Sequence, residues 1–503
     1  MGNKPARTPF SRVFTIEDGA GPANSPTYQG QVRVTGTSVP FGDRTPVREP
    51  DPDRYGQFRT IDATRGEAGL ATADLEARYS YTLSEFLRLG RKGCDLDIQV
   101  HFGQCQDPQD FNGGWDKILV LEHSSITQWG TNELGALEKG QDAIINESVP
   151  VNSLDFYEVV RIAFAELAQT ELVQEVVALA ICDSVSCGAC GVPSNGCQAF
   201  FAITKSAGGS PGLPAEIVYS SDGGTTLGET NISTIGAAED PDDATCVGIY
   251  LVVVSNDSGS LHYAPIADIL TGTETWVEVT SGFVTPTGDP NAIFSLGTGR
   301  TWIVGDGGYI YHADDITDSV DVQSAGGATA QNLNDIHGFD EQNLLVVGAS
   351  NAVVYTEDGG STWVSVTGPA VGVDLNCCWM RTASEWFIGT NNGKLYYTRD
   401  KGVTWTERTF PGSGSASAIT HEIVFATPTV GYMAHALTGP AGRILRTIDG
   451  GHSWYVLPEG ASTIPTNDYV GVLAACSEDP NLILGGGLAG NGTDGFLVRG
   501  RGA

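Results

Sequence analysis

The chain has 503 residues, enough for two or three domains, each with its own core. Its formal charge of −33 is set by 16 basic against 27 acidic residues up to position 198 and 11 against 33 beyond it, a balance that argues against nucleic-acid binding through phosphate neutralisation and favours solubility. No run of about twenty apolar residues marks a membrane helix, residues 1–14 lack the apolar stretch of a secretory leader, and 65 glycines suit turn-rich β structure.

Residues 1–77 are rich in Pro, Gly and Arg, and Pro40, Pro46, Pro50 and Pro52 interrupt regular elements, so an extended arm or long loop is predicted there. The texture then changes. Within 79–92, Leu83, Phe86, Leu87 and Leu89 have helical spacing, and Gly90 or Gly93 ends the helix. Strands are expected over 95–102, 117–121, 125–129, 144–149, 156–167 and 172–182. An arm, one helix and a meander of long strands describe a β-sandwich or barrel with a single flanking helix over 78–182, although an ordinary cytosolic or secreted sandwich would show the same pattern.

The segment from Asp142 through Asn146, Glu147 and Pro150, followed by Asp155, Phe156, Tyr157, Glu158, Val159 and Val160, is similar to the closing strands of the major tail tube proteins of long-tailed bacteriophages. The resemblance covers residues 1–182 and rests on element order and texture. It implies a virion protein that stacks as hexameric rings around a lumen, through which viral DNA passes without specific binding. The arm would reach the next ring, where buried surface offsets its lost entropy. Implied partners are copies of the same chain and other tail proteins, with no membrane insertion. Such a protein is made in the host cytoplasm and is extracellular after lysis.

Ten cysteines are many for a reducing cytosol. Cys182, Cys187, Cys190 and Cys197 crowd a Cys-rich hinge at 183–198, where a four-thiolate zinc site and two disulfides are the alternatives. The outer spacings are short and Gly-rich, so disulfides are preferred, and no metal or cofactor is assigned. Cys94 and Cys105 are candidates to bridge a hairpin. Adjacent Cys377 and Cys378 are expected to point inward and outward from one strand, and Cys246 and Cys476 stand alone.

Residues 199–503 repeat one unit. Third-strand segments centred on Tyr219, Tyr263, Tyr311, Tyr355, Tyr397, Arg446 and Val498 lie 44, 48, 44, 42, 49 and 52 residues apart, the period of a propeller blade. Seven blades follow, with six or eight as the neighbouring counts. In one unit the strands fall at 333–338, 343–348, 352–356 and 362–366. Ring closure is expected between 199–204 and 496–499. A turn recurs after the third strand, carried by Asp358, Gly360 and Trp363, by Asp400, Gly402 and Trp405, and by Asp449, Gly451 and Trp454; a degenerate copy has Asp222 and Gly224. The Asp accepts turn amides, the glycines supply positive φ, and the Trp packs between blades.

These turns resemble the Asp-box, or bacterial neuraminidase repeat, and the array is similar to propellers related to the photosystem II assembly and stability factor. In sialidases the boxes lie away from an active site built from an arginine triad, an Arg-Ile-Pro element, a Tyr/Glu pair and an acid Asp. This chain has no Arg-Ile-Pro, and Arg300, Arg381, Arg399, Arg408, Arg443, Arg446, Arg499 and Arg501 fall late and mostly beside the boxes. Gly485 to Gly490 matches a dinucleotide fingerprint but precedes no helix, so it is read as a turn. Acidic loops at Asp240, Asp242 and Asp243 and at Asp314 and Asp315 are read as solvated. Trp276, Trp302 and Trp386 are candidates for sugar contact, with blade packing the preferred role. The functional expectation is a non-enzymatic tail tube subunit decorated by a propeller that binds host-surface glycans; a sialidase-like or lectin-like protein is the alternative, and an assembly factor the third reading.

Overall fold

The computed structural model describes residues 11–17, 27–29, 32–38, 44–50, 58–65, 71–78, 96–103, 115–126, 130–132 and everything from 146 on except 168–173, 183–196, 207–213, 237–238, 256–258, 285–287, 298, 325–328, 371, 415–417, 437–441, 458–468, 490–493 and 503. The chain forms two compact units, Met1–Val160 and Arg161–Ala503.

Unit 1 contains β1 (Ser11–Glu17), β2 (Thr27–Gln29), β3 (Val32–Ser38), β4 (Arg44–Pro50), β5 (Phe58–Arg65), β6 (Ala71–Arg78), β7 (Leu96–Gly103), β8 (Trp115–Ile126), β9 (Gly130–Asn132) and β10 (Asn146–Val160). Eight of these form one antiparallel sheet in the order β2-β1-β7-β8-β10-β6-β3, with β9 on β10. Alternation puts Val13, Ile98, Val100, Leu121, Val149 and Val151 into one core. The opposite face of β7 buries Asp97, Gln99 and His101, and burial, helped by the charge of Arg12, holds the His101 pKa far below its usual value.

The expected arm is therefore mostly sheet. β1, at 11–17, is paired on both sides, and β6 sits between β3 and β10. In β6 Leu75 alternates with polar neighbours, a period-2 signal that the surrounding prolines masked, whereas in β1 the adjacent Val13 and Phe14 are both buried. Only β4 and β5 stand apart, as a two-stranded hairpin that pairs with no other described strand. The helix expected at 79–92 lies outside the described residues.

Unit 2 holds seven four-stranded antiparallel sheets. Their inner strands are Val176–Cys182, Pro241–Val247, Pro290–Ser295, Leu333–Gly338, Leu375–Met380, Ile419–Phe425 and Tyr469–Ala475, which number blades 1 to 7. Each inner strand packs beside the next, and the seventh returns to the first. This is the ring of a β-propeller. Its closure differs from expectation. Ile162–Glu166 pairs antiparallel with Gly495–Gly502 as the fourth strand of blade 7, whereas Ala199–Thr204 is the second strand of blade 1. The propeller thus starts at 161, and the strands expected over 156–167 and 172–182 belong largely to it. Gly485 to Gly487, expected in a turn, lie in the second strand of blade 7; a Cβ on Gly487 would sit 2.0 Å from the Tyr469 carbonyl oxygen.

One irregularity recurs in all seven blades. Val177, Asp242, Asn291, Asn334, Asn376, His421 and Gly471 are each skipped by the pairing between first and second strands, a β-bulge at the same place in every inner strand. Three bulged asparagines tie each blade to its successor: Asn291 Nδ2 donates to the Leu333 carbonyl (2.9 Å), Asn334 Nδ2 to that of Leu375 (2.8 Å) and Asn376 Nδ2 to that of Thr420 (3.2 Å).

Candidate functional site

The Asp-box residues occupy the turn between third and fourth strands in blades 1, 4, 5 and 6. In blade 4 Thr356 Oγ1 donates to Asp358 Oδ1 (2.8 Å) and accepts the Gly360 amide (3.0 Å), while Asp358 accepts the Thr362 amide (2.8 Å) and hydroxyl (2.7 Å). The same set joins Thr398, Asp400, Gly402 and Thr404, then Thr447, Asp449, Gly451 and Ser453, and Ser220, Asp222, Gly224 and Thr226. The glycine two positions after the Asp has φ of 83°, 92°, 78° and 85° in the four boxes and lies flush with the preceding blade; a Cβ on Gly451 would meet Phe387 at 2.4 Å. Trp405 Nε1 reaches the Thr367 carbonyl of blade 4 (2.9 Å), Trp454 Nε1 donates to Gly451 O (3.2 Å), and Trp363 packs in a cluster with Trp302 and Ile310 of blade 3. The Asp, hydroxyl and turn amides satisfy one another and the tryptophans pack on the neighbouring blade, which makes the boxes structural hardware.

The cysteines are placed differently from expectation. Cys197 is bonded to Cys476, 279 residues away, so neither a zinc site nor a disulfide within the 182–197 cluster includes it. Cys182 ends the inner strand of blade 1, and Cys94, Cys105, Cys187 and Cys190 lie outside the described residues. Cys377 and Cys378 do point to opposite sides of their strand, yet both thiols are buried, because each side faces another blade; Cys377 contacts the Thr420 carbonyl and Cys378 that of Leu345.

A Tyr/Glu pair among arginines does occur, in blade 5. Tyr397 donates to Glu385 Oε1 (3.1 Å), Arg399 Nε and Arg381 Nη2 hold the same carboxylate at 3.0 and 2.8 Å, and the Arg408 guanidinium lies 4.8 Å over the Tyr397 ring. Burial, then the Glu385 charge, push the Tyr397 hydroxyl up, the reverse of an activated nucleophile. Arg381 also donates to the carbonyls of Pro428 and Gly450 in blade 6. The cluster braces two blades.

The propeller axis carries the other concentration of chemistry. A cavity of about 470 Å3 is lined by all seven inner strands. One residue past the bulge, blades 2, 4 and 6 present Asp243, Asp335 and Glu422, whereas blades 1, 3, 5 and 7 present Ala178, Ala292, Cys377 and Val472. Asp243 accepts the Ile293 amide (2.9 Å) and Asp335 that of Cys378 (2.6 Å), each reaching the next blade. Burial raises Asp243 to about 7 against the pull of the Ile293 and Ala244 amides. Asp335 is raised mainly by burial, and Glu422 well above the carboxylate range by burial and by the charges of Asp335 and Asp243.

Above this ring runs an arc of aromatic rings from four consecutive blades. Phe294 and His337 lie 5.1 Å apart, His337 stacks on Trp379 at 3.7 Å, and Trp379 stands 5.9 Å from Phe425. His337 Nδ1 accepts the Met380 amide (3.1 Å), and burial lowers its pKa to about 3, so the ring is neutral at physiological pH. The arc opens into a second cavity of about 400 Å3, lined by Phe339, Met380, Phe425 and Pro428. Trp302 and Trp386 are fully buried and Trp276 is 5% exposed, so the tryptophans weighed for ligand contact are packing residues, and Trp379 faces the cavity instead.

No family model and no curated protein matches this chain. Solved structures do. One described as YCF48 bound to D1 peptide shares 15% identity, 68% of this chain, 97% of its own and a TM-score of 0.49; YCF48 from Cyanidioschyzon merolae shares 12%, 67%, 98% and 0.48. A crystal structure of RRP9 WD40 repeats shares 11% identity, 67% of this chain, 97% of its own and a TM-score of 0.50. At such identities the likeness is one of fold, and residues 161–503 are a β-propeller.

Proposed function

We propose that the chain is a self-assembling structural protein of the tail tube type, with unit 1 forming stacked rings and the propeller serving as an appended binding module without catalysis. The observation that supports this reading most is the β4–β5 hairpin, which pairs with no other described strand. A lone hairpin is marginally stable in water and gains stability by docking on another surface. Its strands carry four arginines (Arg44, Arg48, Arg59, Arg65) against Glu49 and Asp62, in a chain whose formal charge is −33. With Asp51, Asp53 and Arg54 of the connecting segment included, residues 44–65 carry five basic against four acidic residues, so the excess of arginine is confined to the two strands, and these have acidic partners in the next copy of the same chain. Pro46 and Pro50 within β4 suit an edge strand and oppose extension of the hairpin into a wider sheet.

Electron microscopy of the concentrated full chain tests this directly. Hollow tubes with a regular axial repeat are expected, and Arg44→Glu combined with Arg48→Glu abolishes them while the propeller still melts cooperatively. Dispersed particles at every concentration count against the assembly.

A further inference from the structure

The axial cavity combines two features that the assembly reading leaves unused. Its wall carries the carboxylates Asp242, Asp243, Asp335 and Glu422, but no lysine or arginine. The nearest cation at the mouth, Arg381, is engaged by Glu385 and by two backbone carbonyls. Among the described residues no group of His, Cys, Asp and Glu is placed to hold a metal ion. A cation that suits this wall therefore has its own reach, and the aromatic arc above the carboxylates favours an organic ammonium, which ring faces attract.

The mouth indicates what carries that ammonium. Phe339 is 51% exposed beside the second cavity, which the exposed Pro428 also lines, an apolar shelf that a small amine would leave uncovered. Asp335 lies two residues before His337 on the same strand, a rise of about 7 Å, close to the span of an extended lysine stem. The carboxyl groups from alternate blades, raised by burial and, at Glu422, by the charges of Asp335 and Asp243, are returned to the carboxylate form by a cation placed among them, and a point charge with the three diverging N–H donors of an ammonium suits that arrangement better than the planar fork of a guanidinium.

We propose that the mouth and axis of the propeller form a docking site for a basic peptide segment, with an apolar side chain on Phe339 and Pro428 and a lysine ammonium passing Trp379 and His337 to reach Asp335 and Glu422. Charge complementarity selects this occupant, and the site lies wholly within 161–503, so it stands or falls independently of tube assembly.

Two fluorescein-labelled Gly/Ser nonapeptides test it by anisotropy on the full chain, one with a central Leu-Lys-Leu, the other with norleucine replacing the lysine. The lysine peptide binds about tenfold or more tighter. Glu422→Gln erases that preference, and Trp379→Ala weakens the lysine peptide. Equal affinity for the two peptides, a lysine preference that survives Glu422→Gln, or no binding of either at about 1 mM overturns the proposal. The peptide comparison uses the unmodified protein, so it decides the matter even where a variant misfolds.

Discussion

Blades 1, 4, 5 and 6 close their outer hairpins with an Asp-box, whereas blades 2, 3 and 7 do not. Blade 2 substitutes a short helix, Ile266–Ile269, between the same two strands, the third and the fourth; blade 3 keeps Asp315, which accepts Thr317, but has no glycine in the turn; blade 7 has no box and takes its fourth strand from Ile162–Glu166. All seven nevertheless share the bulged inner strand and four-strand order. The box is thus a local solution to one turn, while the ring is specified by the inner strands and by the contacts that close it.

Blade 7 is where this contrast breaks most easily, because it relies on chain segments far away in sequence. Ile162 and Phe164 are buried at 5% and 8% exposure and pack where a Cβ on Gly500 would lie. The double substitution Ile162→Ala, Phe164→Ala is expected to cost about 5–10 kcal/mol, the sum of two large-to-small core changes. Chemical denaturation monitored by tryptophan fluorescence would show a lowered midpoint. Loss of less than about 1 kcal/mol would mean that the other blades hold the ring without this strand.

Reduction of Cys197–Cys476 probes the same closure by a second route. The bond links a residue just before the second strand of blade 1 to one just after the inner strand of blade 7, across 279 residues. Its removal is expected to cost about 2–5 kcal/mol, chiefly by freeing the unfolded chain. Cys197→Ser with Cys476→Ser, compared with the parent by thermal melting, gives the same loss without reductant. Unchanged melting would assign closure to the strand pairing alone.

What was legible follows the same division. The boxes stand out in sequence because a turn is decided by adjacent residues: a hydroxyl, an Asp two positions on and a Gly two beyond that. Closure was not legible, because Ile162–Glu166 alternates like any strand and nothing local names a partner beyond residue 490. The cysteines misled through proximity in sequence, as Cys197 lies near Cys187 and Cys190 yet bonds Cys476. The aromatic arc was half visible: Phe294, His337, Trp379 and Phe425 recur 43, 42 and 46 residues apart, but their types differ, so tryptophans alone drew attention. The β1 and β6 strands were hidden by prolines lying outside them.

The finest test compares two boxes that are chemically alike. Asp358 is exposed, and Asp449 is 1% exposed, yet each accepts the amide and hydroxyl of the residue four positions on. Bonds from Thr362 hold Asp358 below the usual carboxylate range, whereas burial raises Asp449 against the pull of Ser453. Asp449→Ala is expected to cost about 3 kcal/mol, because it orphans buried turn donors, and Asp358→Ala about 1. The pH dependences run in opposite directions. The lowered Asp358 contributes stability above its unfolded pKa of about 3.9 and loses it as pH falls through the folded value. The raised Asp449 favours folding most below about 3.9 and loses that contribution as pH rises through its folded value. The penalty of Asp358→Asn therefore shrinks on acidification, and that of Asp449→Asn shrinks on neutralisation. Melting temperatures of both variants against the parent, between about pH 3 and about pH 7, would show the two differences moving apart. If they move together, burial is not what separates the boxes, and the local turn chemistry would then govern every blade alike.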